Sequence, residues 1–121
     1  MSIFSEIPNN EYLFEGEHFF AIYDRYPVSP GHILIISKND KNDFFSLDKI
    51  ERTELNELVI EAKNIIQSKF SPDGYNIGMN CGASAGQTVM HFHCHVIPRY
   101  QGDMDNPRGG IRHCIEGKGY Y

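Results

Sequence analysis

No stretch of this chain approaches the ~20 apolar residues that a membrane span needs; the run HILIIS, 32–37, has the length of a short buried strand. The opening MSIFSEIPNNEY has neither a basic nor an apolar signal segment, so no secretory leader is expected. Positive charge is not in excess. The formal net charge is -5, which leaves no general basic surface for nucleic acid, so an anionic ligand must be held by local groups. Cysteine is sparse: Cys81, Cys94 and Cys114 are odd in number and form no C-x-x-C pair. That pattern reads as free thiols in a reducing compartment, with the cytoplasm as the expected location. Repeats and low-complexity runs are absent as well, and no linker interrupts the chain before its last twenty residues.

What remains describes one ordinary globular domain of 121 residues, 40% hydrophobic and 22% charged. Tyr12–Phe14 and His18–Tyr23 flank Glu15-Gly16-Glu17 and predict a hairpin, followed by a proline-rich loop to Gly31 and a buried strand over His32–Ser37. Apolar residues at Ile50, Leu55, Leu58, Val59, Ala62, Ile65, Ile66 and Phe70 predict a long amphipathic helix, about 47–70, with Ser46 as N-cap. Tyr75–Cys81 and Met90–Pro98 predict two further strands. The expected fold class is α+β: a five-stranded antiparallel sheet with one long helix across a face. Residues 101–121 carry six glycines and prolines after Tyr100 and are expected to form an extended arm that needs a surface to dock on.

Half of the six histidines stand at alternate positions, His91, His93 and His95. A strand would place all three imidazoles on one face. A plain structural face is one explanation. A metal site is a second, although same-face neighbours ~6.5–7 Å apart must converge sharply to share one ion. A covalent catalyst is a third, because neutral imidazole attacks phosphorus and yields a phosphoramidate that water can hydrolyse. Directly upstream, Gly82-Ala83-Ser84-Ala85-Gly86-Gln87-Thr88 offers small residues, backbone N–H groups and hydroxyls able to approach a phosphate closely. Alone, such a loop is usually just a turn. Joined to the histidine row, it makes a phosphate site the preferred reading.

The segment Gly86-Gln87-Thr88-Val89-Met90-His91-Phe92-His93-Cys94-His95-Val96-Ile97-Pro98-Arg99 resembles the signature of the histidine triad (HIT) superfamily. Phe20–His32, ending Pro30-Gly31-His32, is similar to that family's nucleoside-binding strand and loop, and Asn80-Cys81-Gly82 to the turn before its phosphate loop. The resemblance runs over about residues 4–103 and favours the dinucleoside polyphosphate hydrolase branch.

It implies a nucleotide hydrolase or nucleotidyl transferase acting at an α-phosphate. His93 matches the nucleophile, His91 and His95 the flanking histidines that orient it and contact phosphate, and His32 a fourth, supporting histidine. Asn80, Gly86, Gln87 and Thr88 match contacts to phosphate and leaving group, and Asp24 the group that holds the ribose hydroxyls. Phe4, Ile7, Phe20, Ile22 and Leu34 become candidates for the base pocket, though each is equally suited to plain core. Phosphoramidase activity, or nucleotide binding with incidental hydrolysis, remain the alternatives.

The resemblance also implies a homodimer whose sheets join into ten strands, and a purine nucleotide as substrate; from charge and apolar run length, no nucleic-acid or membrane partner is expected. Arg108, Arg112, His113 and Lys118 on the arm are candidates for distal phosphate contacts, or are simply solvated. Many bacterial members begin C-x-x-C and use a further histidine to hold a structural zinc with the first triad histidine. Here Ser2 and Ser5 stand at the cysteine positions, and Ser37-Lys38-Asn39-Asp40 lacks the histidine. Structural zinc is therefore expected to be absent, leaving His91 free for phosphate. No cofactor is expected for the nucleophile itself, although a divalent metal can arrive with a polyphosphate substrate.

Overall fold

A computed structural model describes residues 2–121. Its strands are β1 (Phe14–Glu15), β2 (Phe19–Tyr23), β3 (Ile33–Ser37), β4 (Gly74–Gly78) and β5 (His93–Arg99), with α1 (Lys49–Lys69) between β3 and β4. They form one antiparallel sheet in the order β1-β2-β3-β5-β4. Register pairs Leu34 with His95 and Ile36 with His93, and on the other flank of β5 pairs Gly78 with His95 and Asn76 with Ile97.

The helix begins two residues later than its apolar pattern suggests. Asp48 is the N-cap: its carboxylate accepts the Glu51 N–H at 2.8 Å, while Glu51 reaches back to the Asp48 N–H at 2.8 Å. This reciprocal pair satisfies two donors that a helix start leaves open. Ser46, the expected cap, instead ends a short 3-10 turn over Phe44–Ser46. Leu55, Leu58, Ala62 and Ile66 recur at steps of three and four and are buried against the sheet.

That contact makes the main core. Phe19, Ala21, Ile33, Ile35, Cys94 and Val96 face the helix stripe. Their burial is worth about 1.5–3 kcal/mol for each large side chain. On the other face of the sheet a second apolar cluster forms from Phe20, Ile22, Leu34 and Ile36, covered by Ile7, Phe4 and Tyr12. The Tyr12 ring stacks on Phe20 at 4.3 Å. The hydrophobic alternation of β2 and β3 is therefore used twice.

Strand limits differ from those read in the sequence. β5 starts at His93 rather than residue 90: the Phe92 N–H turns away to the Lys41 carbonyl, while its own carbonyl still accepts the Ser37 N–H at 3.3 Å. β4 covers Gly74–Gly78 rather than 75–81, and β1 holds only two residues. The C-terminal segment is not extended. A 3-10 turn at Gly110–Cys114 folds it back, Gly109 takes φ 95°, and the Gly119 carbonyl leaves no room for a side chain there. Arg108 and Arg112 each lie 4.9 Å from the Tyr121 ring centre. This hook rests on the histidine side of β4, with Ile111 over the face of Gly78 and Gly110 beside Asn76. No helix among the described residues is long and apolar enough to cross a membrane.

Candidate active site

Strand β5 alternates without a fault. Cys94, Val96 and Pro98 point into the core, and His93, His95, Ile97 and Arg99 stand half-buried on the opposite face. His91 lies just ahead of the strand, yet on the same side: the Phe4 ring meets His91 at 5.6 Å and His93 at 5.0 Å. The rings of His93 and His95 are 5.3 Å apart.

Backbone groups decide which nitrogen of each ring carries the proton. His93 Nδ1 lies 2.8 Å from the His91 carbonyl, so Nδ1 carries the hydrogen of the neutral ring and the lone pair falls on Nε2. The opposite holds at His95. The Val28 N–H donates to His32 Nδ1 at 3.2 Å, which leaves the hydrogen on His32 Nε2. That nitrogen donates to His95 Nδ1 at 2.9 Å, so the His95 hydrogen sits on Nε2. Two neighbouring imidazoles thus present a lone pair and a donor side by side. Burial holds His95 down to about 4, reinforced by His32 and His93 and only partly opposed by Asp24. Burial also lowers His32, against the pull of Asp24. Both rings are neutral at ordinary pH.

Asp24 belongs to this pair in the structure. One carboxylate oxygen accepts the Tyr26 N–H at 2.8 Å; the other lies 3.4 Å from His32 Nε2 and 4.0 Å from His95 Nδ1. The carboxylate expected on a ribose is thus turned toward the histidines. Asp24, His32 and His95 also bring three potential metal-ligand atoms within 4.8 Å of one another, as do Glu17, His18 and Glu54 at the hairpin. In the second group Glu54 already accepts from the His18 backbone N–H at 2.9 Å and lies 3.0 Å from its ring nitrogen.

His91 is not free. It is 1% exposed, Nε2 donates to the Ser37 carbonyl at 2.7 Å, and Nδ1 accepts from the Ser2 hydroxyl at 2.7 Å. Asp40 stands 3.5 Å from the same Nδ1. Ser2 and Asp40 therefore do gather round His91, as the zinc comparison anticipates, but as a hydrogen-bonded group. A hydroxyl is a poor zinc ligand, and both nitrogens of the imidazole are occupied. The residues present do not suit structural zinc.

Gln87, expected among the phosphate contacts, has its side chain turned inward. Its amide is buried: Oε1 accepts the Gly82 N–H at 2.8 Å, and Nε2 donates to the carbonyls of Asn42 at 2.6 Å and Val89 at 3.1 Å. It pins the loop rather than facing out of it. The Gly86 N–H is spent on the Ala83 carbonyl at 3.0 Å. Thr88 is exposed, and so is Asn80, whose side chain faces Gly86. With exposed Ser84, these two carry the outward polar side chains of the loop. Phe4, Ile7, Phe20, Ile22 and Leu34 do gather in one cluster beside His93 and His95, together with Ile36 and Tyr12, which the sequence reading left out. Alternation along β3 was the signal for Ile36. Nothing local marked the Val28 N–H.

Residues 5–102 match the family model described as the HIT domain. The chain belongs to the HIT family. An uncharacterised HIT-like protein of Mycoplasma pneumoniae is 39% identical over 72% of this chain, the match covering 60% of that relative's length. A bis(5'-adenosyl)-triphosphatase of Dictyostelium discoideum is 35% identical over 83% of the chain and 67% of its own. The crystal structure of a HIT family protein from Bacillus anthracis superposes with a TM-score of 0.77 at 38% identity, covering 84% of this chain and 74% of that one. The chain thus spans about three-fifths of the Mycoplasma relative's length, and it shares its fold with solved HIT proteins.

Proposed function

We propose that this HIT protein is a nucleotide hydrolase or nucleotidyl transferase that cleaves dinucleoside polyphosphates at the α-phosphate through a nucleotidyl-histidine. The observation that carries this reading is the 2.8 Å contact from His93 Nδ1 to the His91 carbonyl, which in the neutral ring leaves the Nε2 lone pair as the nucleophile. In the first half-reaction Nε2 bonds to phosphorus as the P–O bond to the leaving nucleotide breaks with its electron pair. Positive charge then develops on the imidazole, and the carbonyl at Nδ1–H stabilises it. His95 Nε2–H donates a hydrogen bond to the phosphoryl group, held in place through His32 and Asp24. Water then bonds to phosphorus and gives up a proton, the N–P bond breaks with its electron pair returning to Nε2, and a nucleoside monophosphate leaves.

Two further features support the substrate class. The apolar cluster of Phe20, Ile22, Leu34 and Ile36 borders the triad on the β3 side, where a purine would lie. The Dictyostelium relative bears the name of a triphosphatase of this kind. The working unit is a homodimer joined along α1 and the free edge of β4 into a ten-stranded sheet. Ile60 at 55% exposure and Ile77 at 48% favour a partner on that side.

A panel of diadenosine polyphosphates, adenosine 5′-phosphoramidate and simple esters, read by release of AMP, tests the reading. Faster turnover of the phosphoramidate would favour the phosphoramidase alternative, and an inert panel with tight AMP binding would favour a binding protein. Acid quenching should trap an adenylylated chain in the native protein and none in His93→Ala, which should lose at least about a thousandfold in turnover. Wild-type turnover in that variant would rule out the covalent route.

A further inference from the structure

The turn between β1 and β2 holds a second group of titratable side chains, on the side of the sheet that carries α1. Gly16-Glu17-His18 makes the turn, and Glu54 reaches it from the helix. The His18 backbone N–H donates to Glu54 Oε2 at 2.9 Å, and His18 Nδ1 lies 3.0 Å from Glu54 Oε1. Gly16 makes this approach possible: a Cβ there would meet Glu54 Oε2 at 2.6 Å and Leu58 Cδ1 at 3.4 Å. Both oxygens of Glu54 are thus set in place by the hairpin.

Charge at this corner does not balance. Glu17 brings a second carboxylate: one ligand atom from each of Glu17, His18 and Glu54 lies within 4.8 Å of the other two. Lys38 is paired with Glu15 at 2.7 Å, and Lys41 with Glu51 at 3.5 Å. No lysine or arginine nitrogen among the described residues comes within 4.0 Å of Glu17 or Glu54. One imidazolium offsets one carboxylate, and the other is left without a cation.

The donor set indicates which cation fits. Two carboxylates and one imidazole, with no thiolate, suit a divalent first-row metal ion, whereas Mg²⁺ and Ca²⁺ favour oxygen throughout. Two ligand atoms ~2.1 Å from one ion and at right angles stand ~3 Å apart, which matches the separation of His18 Nδ1 and Glu54 Oε1. Glu17 is exposed, so water fills the remaining positions and the ion exchanges with solvent.

We propose that Glu17, His18 and Glu54 form an exchangeable site for a divalent first-row metal ion that clasps the β1–β2 hairpin to α1. The site stands across the sheet from His93 and takes no part in the α-phosphate reading. Its effect is on the scaffold. β2 carries Phe20 and Ile22 of the apolar cluster beside the triad, so an ion at the head of that strand holds it against the helix.

The test titrates Mn²⁺ into tag-free protein dialysed against a chelator, with free aquo-ion counted by electron paramagnetic resonance. The wild type should bind one equivalent and melt at a higher temperature as Mn²⁺ rises, because the ion binds the folded chain. Outer-shell changes around a metal cost about 10–100-fold in affinity, so loss of a ligand in Glu17→Gln or His18→Gln should cost at least about tenfold. Glu17 is exposed, so Glu17→Gln should fold as the wild type does and keep its metal-free melting temperature. Wild-type affinity in both variants, a melting temperature indifferent to Mn²⁺, or equal stabilisation by Mg²⁺ would overturn the proposal. So would binding that survives both changes and disappears in His95→Gln, which would place the ion at Asp24, His32 and His95.

Discussion

The Ser2 hydroxyl lies 2.7 Å from His91 Nδ1, tying the start of the described chain to the first histidine of the row. The bond does more than anchor a terminus. By accepting at Nδ1, His91 keeps its hydrogen on Nε2 for the Ser37 carbonyl, and so holds its own backbone carbonyl where His93 needs it. Ser2→Ala should cost about 1 kcal/mol of stability, measured by urea unfolding, since it leaves a buried ring nitrogen without a donor. No change in the midpoint would show that the bond contributes nothing. Metal analysis of the purified protein should find zinc well below one equivalent, and a full equivalent would show that the hydroxyl and carboxylate round His91 bind it after all.

The depressed His95 gives the fold a pH signature. The unfolded chain takes up a proton near pH 6.5 that folded His95 refuses until about 4. Across that window the unfolded state binds more protons, so stability falls as pH drops from 6.5 towards 4 and is intact above it. Buried His32 acts in the same direction. His18 acts in the opposite one: its bond to Glu54 raises it, and that contribution fades as pH rises through its folded value. Unfolding midpoints at several pH values should fall less steeply for His95→Gln than for the wild type. Identical slopes would show that His95 titrates normally.

Gln87 separates two roles cleanly. As a buried clamp satisfying one N–H and two carbonyls, its replacement by Ala should destabilise the protein by about 1–3 kcal/mol and lower its melting temperature. A side chain that merely faced phosphate would leave the melting temperature unchanged and raise KM.

The three thiols should differ sharply towards an alkylating reagent. Burial pushes Cys94 up to about 12. Cys114 is exposed, and Cys81 is partly so. Reactivity follows thiolate fraction and access, so mass spectrometry of the native protein should find Cys114 modified first and Cys94 modified only after unfolding. Early labelling of Cys94 would mean that β5 opens readily.

Much of this was legible beforehand because strand and helix periods are local. The His93-x-His95 alternation and the stripe from Leu55 to Ile66 follow from spacing alone, and the apolar set of Phe20, Ile22 and Leu34 from the family resemblance. What escaped depends on partners far along the chain. Gln87 finds Asn42, forty-five positions away. The hook that replaces the extended arm needs Gly109 and Gly119 to meet, which no short window reveals. The cap was different: Asp48 and Glu51 spell a capping box within a short window, two residues beyond Ser46.

The nitrogen assignments at His93 and His95 trace back to a main-chain carbonyl and a main-chain amide, at His91 and Val28. Every residue type except proline supplies both groups. Pocket walls can drift freely under selection for new substrates while the nucleophile and its neighbouring donor keep their orientation. A scaffold wired this way inherits its reaction and is free to change its clientele.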